Sequence, residues 1–352
     1  MDILKKHYYT MDTIMEEVVQ KCENLLLYCT FNRKVKNCVH IFNLIKTVEG
    51  HCCTFNYAAL NDVAENPLLP HDETLEYYDD EETDDEVLGP IIATSESGRT
   101  SGLTVVFNVE PEDYPSWSTV ANYGATILIS DPNDFPETSV KDKYVTTGTS
   151  VDIKVEPKVY QSESDLRHVV PSRRACWFHD EVTLEHTDRY SYETCITECT
   201  MNNFIQFCGC TPYKYPRDGS RRFCELADLP CMHNLTVYGK GVPCDPPCYV
   251  ECRDKGYSIA ENTVPFLADD FPANVTSGRP LNSIASIKVY FRKSTCNCYK
   301  LTLLMDVNYF IATYGGVLSL SFGASLLTIV ELLYLFISYL VQRFSKYFDC
   351  YQ

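Results

Sequence analysis

Residues 307–342 hold a single charge, Glu331, in thirty-six positions, and the 24 residues from Val307 to Val330 include no Asp, Glu, Lys, Arg or His. At about 1.5 Å per residue those 24 make a helix of roughly 36 Å, enough to cross a hydrocarbon core of about 30 Å. Gly315, Gly316, Ser319, Ser321, Gly323, Ala324 and Ser325 lie inside the run. Small residues in lipid let backbones or a water path come close, and unwound backbone survives there only where it lines protein or water. Glu331 sits within the apolar stretch, and an intramembrane carboxylate is a functional candidate. Two readings follow: a plain single-pass anchor with a snorkelling Glu, or a helix that lines a pore.

At 352 residues the chain is too long for one simple core, so two or more subdomains are expected. A slightly negative mean hydropathy beside 25 Tyr and 17 Phe describes a soluble body with a membrane tail. Eighteen cysteines, ten of them from Cys176 to Cys252, indicate an oxidising compartment. The sequons at Asn234 and Asn274 agree with a luminal or extracellular face. The net charge of −18 is concentrated: eleven acidic residues and no Lys or Arg lie between Glu65 and Glu86. Such a run is a solvated loop first, and a field that draws cations second. It excludes a nucleic-acid partner, because phosphate binding needs the opposite sign.

Residues 1–60 contain no secretory signal, and their longest apolar run, Leu25-Leu26-Leu27-Tyr28-Cys29, is far too short to span a bilayer. Insertion by the C-terminal segment alone would leave the cysteines in a reducing cytosol. An upstream membrane segment absent from this sequence is therefore expected.

Ile3, Leu4, Met11, Ile14, Met15, Val18 and Val19 recur at helical spacing. Residues 61–90 read as loop. Leu103–Val109, Ala125–Ile129, Ser150–Val155 and Ile284–Phe291 read as strands, split by turn formers such as Asp131-Pro132-Asn133. Asp188 to Phe207 reads as a helix with Cys195 and Cys199 one turn apart. An antiparallel return carrying Cys244 and Cys248 would staple onto it. That geometry favours the nested pairs Cys195–Cys248, Cys199–Cys244 and Cys176–Cys252, with Cys208–Cys231 and Cys210–Cys224 inside, though spacing alone leaves the connectivity of ten cysteines open. The zinc alternative takes Cys208, Cys210, Cys224 and Cys231, and the oxidising context disfavours it. No metal and no cofactor is expected. The eight histidines are scattered, no Ser-His-Asp or zinc-hydrolase motif occurs, and His179 and His186 read as surface residues, so the chain is not expected to be an enzyme.

Several motifs together are similar to the epithelial sodium channel/degenerin superfamily, most closely its pickpocket-type branch. They are Gly50-His-Cys52-Cys53-Thr-Phe55-Asn56, Ser101-Gly102-Leu103, Asp113-Tyr114, Tyr123-Gly124, Arg174-x-Cys176, Tyr190-x4-Cys195-x3-Cys199, Phe207-Cys-Gly-Cys210 and Gly323-Ala324-Ser325-x5-Glu331. The resemblance implies an α+β membrane protein with a β-rich, disulfide-stabilised, hand-shaped ectodomain and one C-terminal transmembrane helix, the first transmembrane helix being absent from this chain. Finger helices and acidic loop would occupy 1–100, β-ball and palm strands 101–170, a cysteine-rich thumb 171–255, and knuckle and palm strands 256–306. The pore helix would span 307–341 and a cytosolic tail 342–352.

The resemblance further implies a trimeric, amiloride-sensitive, sodium-selective channel of the plasma membrane, assembled from homologous subunits, with the ectodomain extracellular and the C-terminus cytosolic. Gly323, Ala324 and Ser325 would form the selectivity filter, Ser319 the amiloride-block position, Ala312 the degenerin position, and Gly315 and Gly316 the gate turn. It pairs Cys29 with Cys38 and agrees with the nested ladder. It places the partner of Cys52 upstream, and leaves the pairing of Cys22, Cys53, Cys296 and Cys298 open. Where acid-sensing members carry an aromatic before the first thumb cysteine and an Asp after the degenerin position, this chain has Arg174 and Thr313. The activating stimulus is not legible. The alternative from another class is a non-conducting cysteine-rich receptor, or a modulatory subunit.

Overall fold

The computed structural model describes residues 10–58, 92–114, 122–136, 141–187, 189–215, 221–238, 243–304, 307–323 and 325–349. The acidic run from Glu65 to Glu86, Ala324, and Ile3 and Leu4 of the opening helix lie outside these residues. The chain divides into two compact units, residues 1–162 with 169–300, and residues 163–168 with 301–352.

The first unit is built on a mixed sheet. Its strands are β1 (Leu26–Phe31), β2 (Lys34–Lys36), β5 (Leu103–Asn108), β8 (Thr149–Ser162), β11 (Arg253–Pro265), β12 (Ile284–Phe291) and β13 (Asn297–Leu301). The order is β11-β8-β12-β5-β1-β2, with β13 paired to β8 off that path. β8 and β12 run parallel, from Ser286 opposite Ser150 to Phe291 opposite Val155, and the two serine hydroxyls bond at 2.8 Å in the interior. Two hairpins stand apart from this sheet: β3 (Phe42–Thr47) with β4 (Gly50–Phe55), and β6 (Gly124–Ile129) with β7 (Lys141–Thr146).

Alternation along the strands explains the layering. In β8, Val151, Ile153 and Val155 are buried while Asp152, Lys154 and Glu156 face outward. Those three pack with Val105, Phe107, Ala285 and Ile287, and against Val145 and Ile127 of the β6–β7 hairpin. Val106 and Ile284 point the other way, into a second cluster with Phe266 and Val275. Both faces of β5 are thus covered. A Cβ at Gly102 would collide with the Val289 carbonyl and with Tyr290, which accounts for a glycine at the entry to β5. Between the two hairpins and the sheet lies a largely apolar cavity of about 500 Å³, its wall including Phe42, Ile127, Val155 and Cys52.

Helix α1 (Met11–Val18) opens the described chain, capped reciprocally by Thr10 and Thr13. Helix α2 (Tyr192–Cys208) begins four residues later than the sequence pattern alone places it, because Ser191 is its N-cap and accepts from the Thr194 amide. Asp188 lies outside the described residues. Met201 and Phe204 of α2 pack with Phe135 and Tyr215, and Leu235 of α3 (Leu229–Tyr238) joins them. The short parallel pair β9 (Cys176–Trp177) and β10 (Val250–Glu251) closes this region.

Disulfides staple it. The structure joins Cys176 to Cys252, Cys195 to Cys248, Cys199 to Cys244, Cys208 to Cys231 and Cys210 to Cys224. Cys29 is joined to Cys38 and Cys22 to Cys53. With all four of its candidate ligands in disulfides, the zinc alternative has no thiolate to offer. Asn234 on α3 and Asn274 in the turn Ala273–Thr276 are both exposed.

The second unit consists of helices α4 (Val307–Phe322) and α5 (Leu326–Asp349), with residues 163–168 and the chain from 301. In α5, Leu326–Arg343 is long and apolar enough to cross a membrane, and its side chains are exposed within the chain.

Candidate functional site

The segment expected as one helix over 307–341 is two, and the break falls on the tripeptide 323–325. Local chemistry explains this correction. Gly323 adopts φ 65°, and its amide closes the last turn of α4 on the Ser319 carbonyl at 2.9 Å. A left-handed residue costs an L side chain about 1–2 kcal/mol, and glycine escapes that cost. Ser325 then starts α5. Its hydroxyl accepts from the Thr328 amide at 3.3 Å, its own amide donates to Thr328 Oγ1 at 3.4 Å, and its carbonyl accepts from Ile329 at 3.2 Å. This is a capping box with Thr in the third position. Ala324, the middle residue of the expected filter, lies outside the described residues.

Two helix ends in tandem leave the last carbonyls of α4 and the first amides of α5 without partners inside a helix. In hydrocarbon such groups must meet protein or water. At about 1.5 Å per residue α4 is only roughly 24 Å long, short of a full span. A charge-free segment with a polar backbone break inside it is the arrangement that carbonyl-lined cation paths use.

Side chains on either side of the break agree with an interior there. Ala312, Gly315, Gly316 and Ser319 fall at i, i+3, i+4 and i+7, one face of α4. A Cβ added at Gly315 or Gly316 would meet nothing within 4 Å among the described residues, which leave that face open. On α5, Thr328, Glu331, Ser338 and Gln342 share a narrow polar stripe on a stretch, residues 326–342, otherwise of Leu, Ile, Val and aromatic residues. Glu331 is exposed and Ser338 half-buried. Composition alone does not single out Thr328, Ser338 and Gln342, because each becomes meaningful only through its helical offset from Ser325 or Glu331.

A second cluster lies in the first unit. Asp131 and Asp134, in the turn after β6, meet Glu251 of β10, Asp254 and Tyr257 of β11, and Ser191 with Glu193 at the start of α2. Burial pushes the Asp134 carboxyl up to about 7, against a hydrogen bond from Ser191 and with the charges of Asp131, Asp254 and Glu193 adding to it. Burial, then Asp134 and Asp254, push Glu251 up to about 9, opposed by Arg189. Tyr257 is raised by burial and by the same carboxylates. These groups come from three distant segments, so no spacing in the sequence announces them.

His179 and His186 are not plain surface residues. His186 Nδ1 sits 3.1 Å from Glu198 Oε1, and His179 Nδ1 sits 3.2 Å from the Tyr190 carbonyl. Burial and the Arg189 charge hold His179 below its usual range. Arg174 is buried too: its Nε donates to the Cys176 carbonyl at 2.9 Å, its guanidinium pairs with Glu181, and it stands over the Phe178 ring.

A family model described as "Amiloride-sensitive sodium channel" matches residues 2–335. The chain is 25% identical over 340 residues to the sodium channel protein Nach of Drosophila melanogaster, covering 93% of this chain and 60% of that protein. It is 26% identical to pickpocket protein 28 of the same fly, covering 91% and 57%. To the human epithelial sodium channel subunit delta it is 24% identical over 260 residues, covering 67% and 31%. The chain thus spans about 60% of the length of Nach. The matched family and Nach are both named as sodium channels. The chain belongs to the amiloride-sensitive sodium channel family.

Proposed function

We propose that this chain is a subunit of a trimeric, amiloride-sensitive, sodium-selective channel of the plasma membrane, opened through its extracellular domain. Three copies, or copies of homologous subunits, surround one aqueous path. The backbone around Gly323, Ala324 and Ser325 forms the constriction, Ser319 the site of amiloride block, and Ala312 with Gly315 and Gly316 the gate. Residues up to 306 make a hand-shaped extracellular body carrying glycans on Asn234 and Asn274, and residues 342–352 are cytosolic. The helix break at Gly323–Ser325, inside a segment with no charge before Glu331, carries this reading. It supplies unpaired backbone oxygens where small side chains admit a path, which suits partial dehydration of a small cation.

Mechanically, the disulfide ladder makes the region around α2 stiff, so displacement at its outer end reaches the sheet instead of dissipating. The test is expression of the full-length coding sequence in oocytes, alone and with homologous subunits, with current recorded before and after amiloride. An amiloride-sensitive sodium current, made constitutive by Ala312→Val, is expected. Absence of current in every combination, with the protein at the surface, would overturn the reading in favour of a non-conducting receptor or modulatory subunit.

A further inference from the structure

Among the described residues, seven disulfides take fourteen cysteines and leave Cys52, Cys296 and Cys298 free. Cys52 is withdrawn: it is half-buried, 3.3 Å from Thr47 Oγ1, and burial raises its thiol further from ionisation. Cys296 and Cys298 are the opposite case. Both are exposed, Cys298 lies on β13 and Cys296 immediately precedes it, and all five residues of β13 are exposed. Cys298 Sγ is 3.6 Å from Gln161 Oε1 on β8, and β13 has no second strand partner among the described residues. Exposed thiols left over in a compartment that oxidises seven other pairs point to a partner on another chain.

They do not serve each other. Alternate residues on extended chain stand roughly 6.6 Å apart, whereas a disulfide needs Cβ atoms about 3.5–4.5 Å apart. We propose that Cys296 of one subunit and Cys298 of the neighbouring copy form an intersubunit disulfide. The inference rests on the oligomeric reading above and deepens it. Head-to-tail contacts that close into a ring bring two different surface positions together at each interface. Every subunit must then contribute one thiol to each neighbour, and two exposed cysteines two positions apart, one on β13 and one just before it, meet that requirement. Pairing a single position with itself would fit a twofold dimer and would strand one thiol in an odd ring. In the step itself, the two thiols lose two protons and two electrons to a protein disulfide of an oxidoreductase in the secretory lumen. The S–S bond forms as that oxidant becomes a dithiol.

The protein in membranes, lysed with N-ethylmaleimide to trap thiols, should migrate on a non-reducing gel as linked species of up to three chains and collapse to one on dithiothreitol. Cys296→Ser and Cys298→Ser should each abolish the linked species. An amine-reactive cross-linker, applied in parallel, reports the assembly without using thiols. Trimers by that reagent with only single chains on the non-reducing gel would overturn the disulfide and spare the channel reading. No oligomer by either route would overturn both. A linked species that survives Cys296→Ser, or a peptide in which Cys296 or Cys298 is bonded within its own chain, would also contradict the proposal.

Discussion

The Gly323 amide donates to the Ser319 carbonyl at 2.9 Å, tying the proposed amiloride-block residue to the first residue of the proposed filter in one closed helical turn. A ligand lodged at Ser319 therefore lies one turn from the point where the helix stops. Changes at either residue are expected to alter both block and selectivity.

Gly323→Ala keeps the charge and nearly the size but forces a Cβ onto a backbone at φ 65°, at a cost of about 1–2 kcal/mol. The cheaper outcome for the chain is to continue the helix and close the break. Reversal-potential measurements should show a lowered sodium preference, or no current, with normal surface labelling. Unchanged selectivity would mean the break is not part of the path.

Ser325 and Thr328 cap each other, and loss of an N-cap typically costs about 1 kcal/mol. Thr328→Val should therefore perturb permeation although it lies outside the tripeptide, while Ser325→Thr, which preserves a cap oxygen, should be milder than Ser325→Val. Equal effects of the two Ser325 variants would count against capping as the residue's role.

The buried carboxyl cluster fixes the sign of a pH effect. Asp134 and Glu251 are raised in the fold to about 7 and about 9, from ordinary values of 3.8 and 4.5. The folded state then holds more protons than the unfolded one across that window. Stability is greatest below the ordinary values and falls as pH rises toward 9. His179, held below its usual 6.5, has the opposite sign and acts only on the acid side. Thermal melting of the purified protein should shift downward from pH 6 to pH 9, and Glu251→Gln should flatten that dependence. Parallel curves for the two proteins would refute the assignment.

Arg174 is buried while its partner Glu181 reaches solvent, so removing the guanidinium should cost less than the about 3–5 kcal/mol typical of a fully buried pair. Arg174→Met should lower melting temperature and surface delivery. The double change with Glu181→Leu should recover much of the loss, because no charge is then left unpaired. A double variant as damaged as the single one would show that the guanidinium matters for its other contacts, the Cys176 carbonyl and the Phe178 ring.

How legible all this was in the sequence depends on the range of the interaction. β5, β8 and β12 follow from β-rich runs bounded by turn formers, although β8 continues to Ser162 well past Val155, and the start of α2 was missed by four residues because Ser191 is its N-cap. The membrane segment was legible as composition but not as two helices. A run of apolar residues hides its break until Gly323 and Ser325 are seen as cap residues. Cys52 and Cys53 could not be told apart by spacing. As neighbours on β4 they point to opposite faces, one toward Thr47 and the other to its disulfide with Cys22. The carboxyl cluster needed the fold, since only the fold brings β6, β10 and α2 together.

The most direct measurement is thiol modification at the break. In a background with Cys296 and Cys298 changed to Ser, Ser325→Cys is expressed with whichever homologous subunits yield current, and a small charged methanethiosulfonate is applied from outside. The account expects prompt, reductant-reversible loss of the sodium current. A current untouched by the reagent, with Ser325→Cys at the surface, would contradict a path through residues 323–325.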